Sequence, residues 1–450
     1  MGFSDAVRRL GSGAGLVVQP RMGFEDPARM RAGLAATRAA AAATVGTLTV
    51  DSFTRLGDLE SVRNALAEGT ELNGYPIASH PAETTRAILD GLASDDFPVQ
   101  VRHGSAQPQP IFQALVAAGL HASEGGPVSY CLPYGRTPLD ESVRNWRAGC
   151  HELLRAQDLG AEPHLESFGG CLLGQLCPPS LLVAVSVLEA MFFHGEGIRS
   201  LSVSYAQQTN MAQDREAVHA LRRLCAELLP DADCHIVVYT YMGLYPRTPG
   251  GARRLLARAV ELAVDTGAER LIVKTEAEAY RIPTVEENVA ALEFAGAVAR
   301  SLTDRRDGAA LATHLEAGPG TRATDGGEVY AEAAQLVHAV LDCDADLGRA
   351  LSAAFKRGLL DVPYCLHPDN AGRTRSFIDT DGRLRWADTG DLPLPPGTAA
   401  GGRRSVTSAA LMSALSYVRD AYDRPDLASE PALRLAEPDP GPPTLEGAPR

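Results

Sequence analysis

Three arginines stand at the ends of short apolar runs. Arg21 follows Leu16-Val17-Val18-Gln19-Pro20, Arg55 follows Thr47-Leu48-Thr49-Val50-Asp51-Ser52-Phe53-Thr54, and Arg102 sits in Phe97-Pro98-Val99-Gln100-Val101-Arg102-His103-Gly104. Lys274 closes a fourth run, Leu271-Ile272-Val273. A strand that ends on a cation delivers it to the C-terminal mouth of a barrel or open sheet, where such ends converge. A guanidinium offers a planar fork of donors that matches a carboxylate. Three of them round one pocket suit a dicarboxylate, or one carboxylate held very firmly. Taken singly, each reads equally as a surface or ion-pairing residue.

Other polar residues gather at the same ends. His103, next to Arg102, is either structural or a group that donates a hydrogen bond or moves a proton. Glu124, before Gly125-Gly126, is a partner for a substrate ammonium or a general base, against the plain reading of a loop carboxylate. Tyr130 and Tyr134 flank Leu132-Pro133 and offer phenolic donors or aromatic packing. Asn73, in Asn-Gly, reads first as a turn residue. The run Ser204–Asn210 holds several amides, of which Gln207 and Asn210 are candidates to face a cofactor. Lys274 and Glu278, four apart, pair with each other or hold the hydroxyls of a sugar.

Conventional catalytic equipment is scarce. The eleven histidines form no His-x-x-x-His or His-x-His pair beside a strand-end carboxylate, and no Ser-His-Asp set is visible. Cys171 and Cys177 lack a second pair and read as buried thiols rather than a zinc half-site. No metal site is expected. A pocket rich in binding groups and poor in acids, bases and nucleophiles suits chemistry supplied by a cofactor.

These residues need a scaffold that brings strand ends together. Strands are expected at about 15–20, 46–50, 71–75, 97–102, 119–123, 200–205, 234–240 and 270–274, mostly separated by helices. Eight such units define an α/β chain with a (β/α)8 TIM barrel over 1–300, carrying an insertion at about 125–195 between strands five and six. A doubly wound sheet is the alternative, but neither glycine cluster, at 11–15 or 250–251, has the spacing of a nucleotide fingerprint. The apolar stretch 181–195 predicts a deeply packed helix. Residues 301–423 are expected to form an α+β C-terminal extension packed on the barrel, and the Pro- and acid-rich 424–450 a disordered tail.

The 450-residue chain carries a formal net charge of -14, which argues against nucleic-acid or anionic-membrane binding and leaves a small anion as the partner for an arginine cluster. The start has no signal-peptide core and no run reaches the length of a membrane span, so the cytoplasm is expected.

Taken together, the motifs resemble those of the large (epsilon) subunit of adenosylcobalamin-dependent glutamate mutase, also called methylaspartate mutase. They include QPR at 19–21, DSFTR at 51–55, LNGYP at 72–76, VRHG at 101–104, SEGGPVSYCLPY at 123–134, ESFGG at 166–170, NMAQD at 210–214, IVKTEAEAYRIPT at 272–284, DVPY at 361–364 and NAG at 370–372. The resemblance implies a radical rearrangement between L-glutamate and (2S,3S)-3-methylaspartate. It implies an arginine claw of Arg21, Arg55 and Arg102 for the substrate carboxylates. Asn73, His103, Glu124, Tyr130 and Tyr134 match the family's other active-site positions, and Lys274 and Glu278 those contacting the adenosyl group.

The resemblance also implies a separate small subunit whose Asp-x-His-x-x-Gly motif ligates cobalt. Two large and two small subunits would form a heterotetramer. Here Asp233-Cys234-His235 only approaches that motif and lies in a strand candidate. The chain departs from the family in its short N-terminal region, at Tyr130-Cys131, in Ser204–Asn210 and in Tyr241-Met242-Gly243, mostly on the cofactor side. Three alternatives remain: a mutase of a related acidic amino acid, a silent amino-acid-binding or scaffold protein, or an ordinary barrel lyase, for which no metal or base is visible.

Overall fold

The computed structural model describes residues 2–133, 135–170, 176–313, 327–399 and 407–424. Its centre is a parallel sheet of β1 (Val17–Gln19), β2 (Gly46–Thr49), β3 (Val99–Arg102), β4 (Ala122–Gly125), β5 (His164–Gly170), β6 (Ser200–Ala206), β7 (Asp233–Tyr239) and β8 (Arg270–Ile272). The strands pair in the order β1-β8-β7-β6-β5-β4-β3-β2, so β1 and β2 are the two free edges. Val18 joins them, donating to Ala43 O at 2.9 Å and accepting from Val45 N at 3.2 Å. The sheet is thereby a closed (β/α)8 barrel.

Two strand expectations differ from what is observed. Residues 71–75 form a turn in which only Tyr75 bridges to Val50. A Cβ on Gly74 would stand 2.6 Å from Asp51 N, so the chain crosses the end of β2 instead of running beside it. The barrel's true fifth strand is β5, inside the stretch read as an insertion. His164-Leu165-Glu166-Ser167-Phe168 turns polar side chains inward, and so lacks the apolar run that marks the other strands. Gly169 then lets the helix Pro179–Gly195 lie directly on the strand, since a Cβ there would be 2.3 Å from Ser186 N. That helix is apolar nearly all round, since β5 and β6 cover one side and the helix Gly327–Leu341 another.

The strand period of two fills the barrel with stacked polar layers. In the middle layer, Arg270 donates to Glu166 Oε2, to Gln19 Oε1 and, at 3.0 Å, to Gln100 Oε1. At the base the helix Phe3–Ala14 plugs the opening. Ser4 Oγ meets His235 Nδ1 at 3.0 Å, and the Phe3 ring lies 4.6 Å from that of His164. Burial, with Arg270 nearby, pushes both histidines well below their ordinary range, so they are neutral. His235, the near match to a cobalt ligand, therefore lies at the end of the barrel away from the mouth.

The C-terminal extension braces the mouth. β9 (Arg375–Ile378) and β10 (Leu384–Asp388) form an antiparallel hairpin. Its turn accepts from Thr209 Oγ1 at 2.6 Å and from Asn210 Nδ2 at 2.8 Å, just beyond β6. Asp361 gathers the backbone N–H groups of Gly372, Arg373 and Thr374, each at 2.7 Å, which joins the two motifs DVPY and NAG into one clamp. No helix among the described residues is long and apolar enough to cross a membrane.

Removing one member of a buried ion pair strands the other. Arg270→Met should lower the stability to urea by about 3–5 kcal/mol, and replacing Glu166 with Leu as well should restore much of the loss. A double variant no more stable than the single one would contradict this account of the interior.

Candidate active site

The mouth of the barrel is organised by a buried ion pair between neighbouring strand ends. Arg102 on β3 donates through Nε to Glu124 Oε2 on β4 at 2.8 Å, and the two side chains are 5% and 1% exposed. Burial works against the Arg102 charge, but Glu124 and the phenols of Tyr239 and Tyr130 hold it protonated, well above its usual range. Tyr130 donates to the other oxygen, Glu124 Oε1, at 2.5 Å, and Tyr239 to Oε2 at 2.8 Å. Arg102 Nη2 donates to Tyr239 Oη at 3.3 Å, while Arg102 Nη1 is buried and bonded to no protein group. A guanidinium donor enclosed but unanswered is placed to take a ligand oxygen.

The other two arginines reach the same region by different routes. Arg55 is on a short helix, Ser52–Leu56, rather than on a strand end. Asp51 starts that helix by accepting from Phe53 N and Thr54 N, both at 2.9 Å. The Arg55 stem crosses the end of β3, where a Cβ on Gly104 would stand 2.6 Å from its Cδ. Arg21, just past β1, donates to Glu278 at 3.3 Å, and Lys274 lies 3.6 Å from the same oxygen. Burial favours a neutral Glu278, but Arg21 first and Lys274 next hold it below the ordinary carboxylate range. The Lys274 ammonium stands 4.9 Å from the Tyr245 ring, whose hydroxyl is buried without a partner.

His103 is packed into the wall. Its ring stacks on Trp146 at 5.7 Å and meets Tyr130 edge-on at 5.2 Å, and its Nδ1 accepts from Ser105 N at 3.1 Å. Burial, with Arg102 adjacent, pushes it down to about 3, so it is a neutral imidazole. Asn73 is exposed and accepts from Ser52 N at 2.9 Å and Ser52 Oγ at 2.7 Å, which ties the turn to the helix that carries Arg55. Gln207 and Asn210 are engaged with backbone. Gln207 joins Tyr241 N to Leu255 O, and Asn210 caps the helix Met211–Leu228. Tyr134 lies outside the described residues. Among the described residues no group of three or more His, Cys, Asp or Glu is placed to hold a metal ion.

Several residues at this site were given no role by the reading of motifs. Glu189, in the helix Pro179–Gly195, accepts from Val128 N at 3.0 Å and from Ser129 N and Oγ, both at 2.8 Å, and so pins the loop that presents Tyr130. Gly126 must lack a side chain because a Cβ would fall 2.0 Å from the Glu189 carboxyl carbon. Gly125, at φ 131°, turns the chain under the rings of Trp146 and Tyr130. Tyr239 touches the central pair from β7, and Glu166 on β5 backs Tyr239. Their signal was there: Tyr239 ends an apolar strand run, and Glu166 alternates with His164.

A closed parallel barrel with charged, partly unanswered groups at its C-terminal mouth is the architecture of a (β/α)8-barrel enzyme for an anionic small molecule. The family model described as methylaspartate mutase E chain (MutE) matches residues 2–412. The glutamate mutase epsilon subunit of Yersinia enterocolitica is 30% identical over 367 residues, covering 77% of this chain and 72% of that one. That of Halobacterium salinarum is 30% identical over 357 residues, covering 77% and 71%, and that of Escherichia coli O157:H7 is 28% identical over 360, covering 77% and 72%. The chain belongs to the methylaspartate mutase E chain family.

Burial pushes Glu189 up to about 7 against the donors that favour its charge. An acid raised in the folded state takes up a proton on folding between its ordinary value and the raised one, so its contribution to stability falls as pH rises through about 7. The stability of the protein relative to its Glu189→Gln variant should therefore grow as pH is lowered from 8 to 5.5 in urea titrations. A difference independent of pH would contradict the assignment.

Proposed function

We propose that this chain is the large, substrate-binding subunit of a coenzyme B12-dependent mutase that interconverts L-glutamate and (2S,3S)-3-methylaspartate. The observation that carries the reading is the enclosed Arg102 Nη1, unanswered beside a Glu124 carboxylate that is itself saturated by Arg102, Tyr130 and Tyr239. An acidic amino acid brings two carboxylates and one ammonium. Arg102 Nη1 would take one carboxylate, with Arg21 and Arg55 completing the claw, and Glu124 would face the ammonium. A neutral amino acid would leave part of this charge uncompensated.

The rearrangement moves a glycyl fragment between two carbons, and the carboxylates have to stay in place while it does. Forked donors from three separate elements resist that drift better than one contact. Glu124 can accept a proton from the ammonium as the fragment moves and return it afterwards. Neutral His103, Tyr130 and the Trp146 ring wall the site and exclude water. We also propose a role at the substrate site for Tyr134, which lies outside the described residues, as the resemblance implies.

Adenosylcobalamin would be met at the rim beside the claw. Lys274 and Glu278 form a paired donor and acceptor for ribose hydroxyls, and the buried Tyr245 hydroxyl beside them awaits a partner. When bound, the cofactor supplies the carbon radical that removes and returns a substrate hydrogen. The cobalt ligand would come from a small subunit with an Asp-x-His-x-x-Gly motif, since His235 is buried at the barrel base against Ser4. The reading extends to two large and two small subunits in the cytoplasm, as the family implies.

A lysine at position 102 cannot pair with Glu124 and reach the substrate together. Arg102→Lys should reduce kcat/KM for glutamate by about a hundredfold in steady-state assays of the full complex, and an unchanged value would rule the clamp out. Lys274→Met should weaken the apparent affinity for adenosylcobalamin more than that for glutamate. Equal losses of both would remove Lys274 from the cofactor rim.

A further inference from the structure

The Tyr239 hydroxyl lies between two carboxylates. It is 2.8 Å from Glu124 Oε2 and within hydrogen-bond reach of Glu166 Oε1, and it has one hydrogen to give. Glu166 is completely buried, tied on its far oxygen to Arg270 and, at 3.3 Å, to Gln100 Nε2 and Ser202 Oγ. The Tyr239 ring is held in turn, edge-on to Phe168 at 5.3 Å and under the Arg102 guanidinium at 5.1 Å. A line of groups, Arg102–Glu124–Tyr239–Glu166–Arg270, therefore runs from the mouth into the barrel. Its two cations and two carboxylates balance in charge.

We propose that Tyr239, backed by Glu166 and Arg270, is a positioning residue that controls whether Glu124 can take a proton. With the hydroxyl hydrogen turned to Glu124, that carboxylate has a full set of donors, which favours its charged form. With it turned to Glu166, Glu124 Oε2 is freed of a donor and the phenol oxygen can accept from a protonated Glu124. The step balances simply: an N–H bond of the substrate ammonium breaks, the Glu124 O–H bond forms, and the Tyr239 hydrogen rotates without leaving its oxygen. Reversal returns the proton. The proposal rests on the reading of Glu124 as the carboxylate facing the substrate ammonium.

The groups around Glu124 determine the sign of the effect. Arg102 reaches it from β3, Tyr130 from the loop after β4, and Tyr239 from β7, with Glu166 on β5 and Arg270 on β8 behind it. His103 is neutral, and Arg21, Lys274 and Glu278 lie at the rim. A carboxylate that loses a donor keeps its proton to higher pH, and one that loses a nearby negative charge gives it up at lower pH.

The test is the pH profile of kcat/KM for glutamate in the full complex with its small subunit and adenosylcobalamin. Tyr239→Phe should lower kcat about tenfold or more, leave KM nearly unchanged, and move the acid limb to higher pH. Glu166→Gln should move the same limb to lower pH, because the tyrosine then donates to Glu124 throughout. A merely structural role would not give opposite shifts. Profiles that superimpose on wild type, shift in the same direction, or put the loss into KM would overturn the proposal.

Tyr239→Phe keeps the side-chain volume and carries the test if Glu166→Gln fails to fold. A readout without turnover separates this proposal from the substrate reading. In pH-difference infrared spectra of the isolated chain, the carboxyl band abolished by Glu124→Gln should titrate at higher pH in Tyr239→Phe. An unmoved band would overturn the relay whatever the substrate is.

Discussion

The burial of Arg102 against Glu124 is the constraint on which the rest of this structure depends. Two charges withdrawn from water into a barrel mouth are costly unless their remaining donors and acceptors are answered by protein groups or by a ligand. Glu124 receives a donor on each oxygen, and the phenol that completes it, Tyr239, rests on a second buried pair, Glu166 with Arg270. The second pair requires amides and hydroxyls around it, which Gln19, Gln100 and Ser202 provide. The usual apolar barrel filling is thus replaced by a polar column, closed at the base by the helix Phe3–Ala14. Arg102 Nη1 is the member of the upper pair left unanswered, and it is the member best placed for a ligand.

The column fixes the mouth from within, and the outer elements fix it from around. Glu189 fastens the Tyr130 loop to a helix sandwiched between the barrel and the helix Gly327–Leu341. The segment after that helix reaches back over the same loop: Cys365 Sγ donates to Leu132 O at 3.5 Å, and His367 Nε2 lies 2.9 Å from Thr137 O. These contacts use ordinary packing and hydrogen bonding, yet they decide where a phenol oxygen stands relative to Glu124. Precise placement of that kind is what a rearrangement with a reactive intermediate asks of its protein.

Much of this was legible in the chain. Strands ending on Arg21, Arg102 and Lys274 pointed to a barrel mouth that gathers positive charge, and Glu124 before two glycines stood out as its acid. What escaped did so for several reasons. Glu166 lies on a strand that turns His164 and Glu166 inward and places Ser167 against the outer helix, so no apolar run marks it. The run 71–75 has strand-like composition, but Gly74 bends it across the end of β2. The amides of Gln207 and Asn210 look available in sequence, and only the fold shows that backbone groups already hold them. Contacts between distant strands, such as Tyr239 with Glu124 across 115 positions, have no local signature.

The most direct test of the account is carbon-13 NMR of labelled L-glutamate incubated with this chain, a cognate cobalamin-binding small subunit and adenosylcobalamin, with each component omitted in turn. The account predicts label in 3-methylaspartate in the complete mixture and in none of the others. Unchanged glutamate in a mixture shown to contain the assembled, cofactor-loaded complex would contradict it.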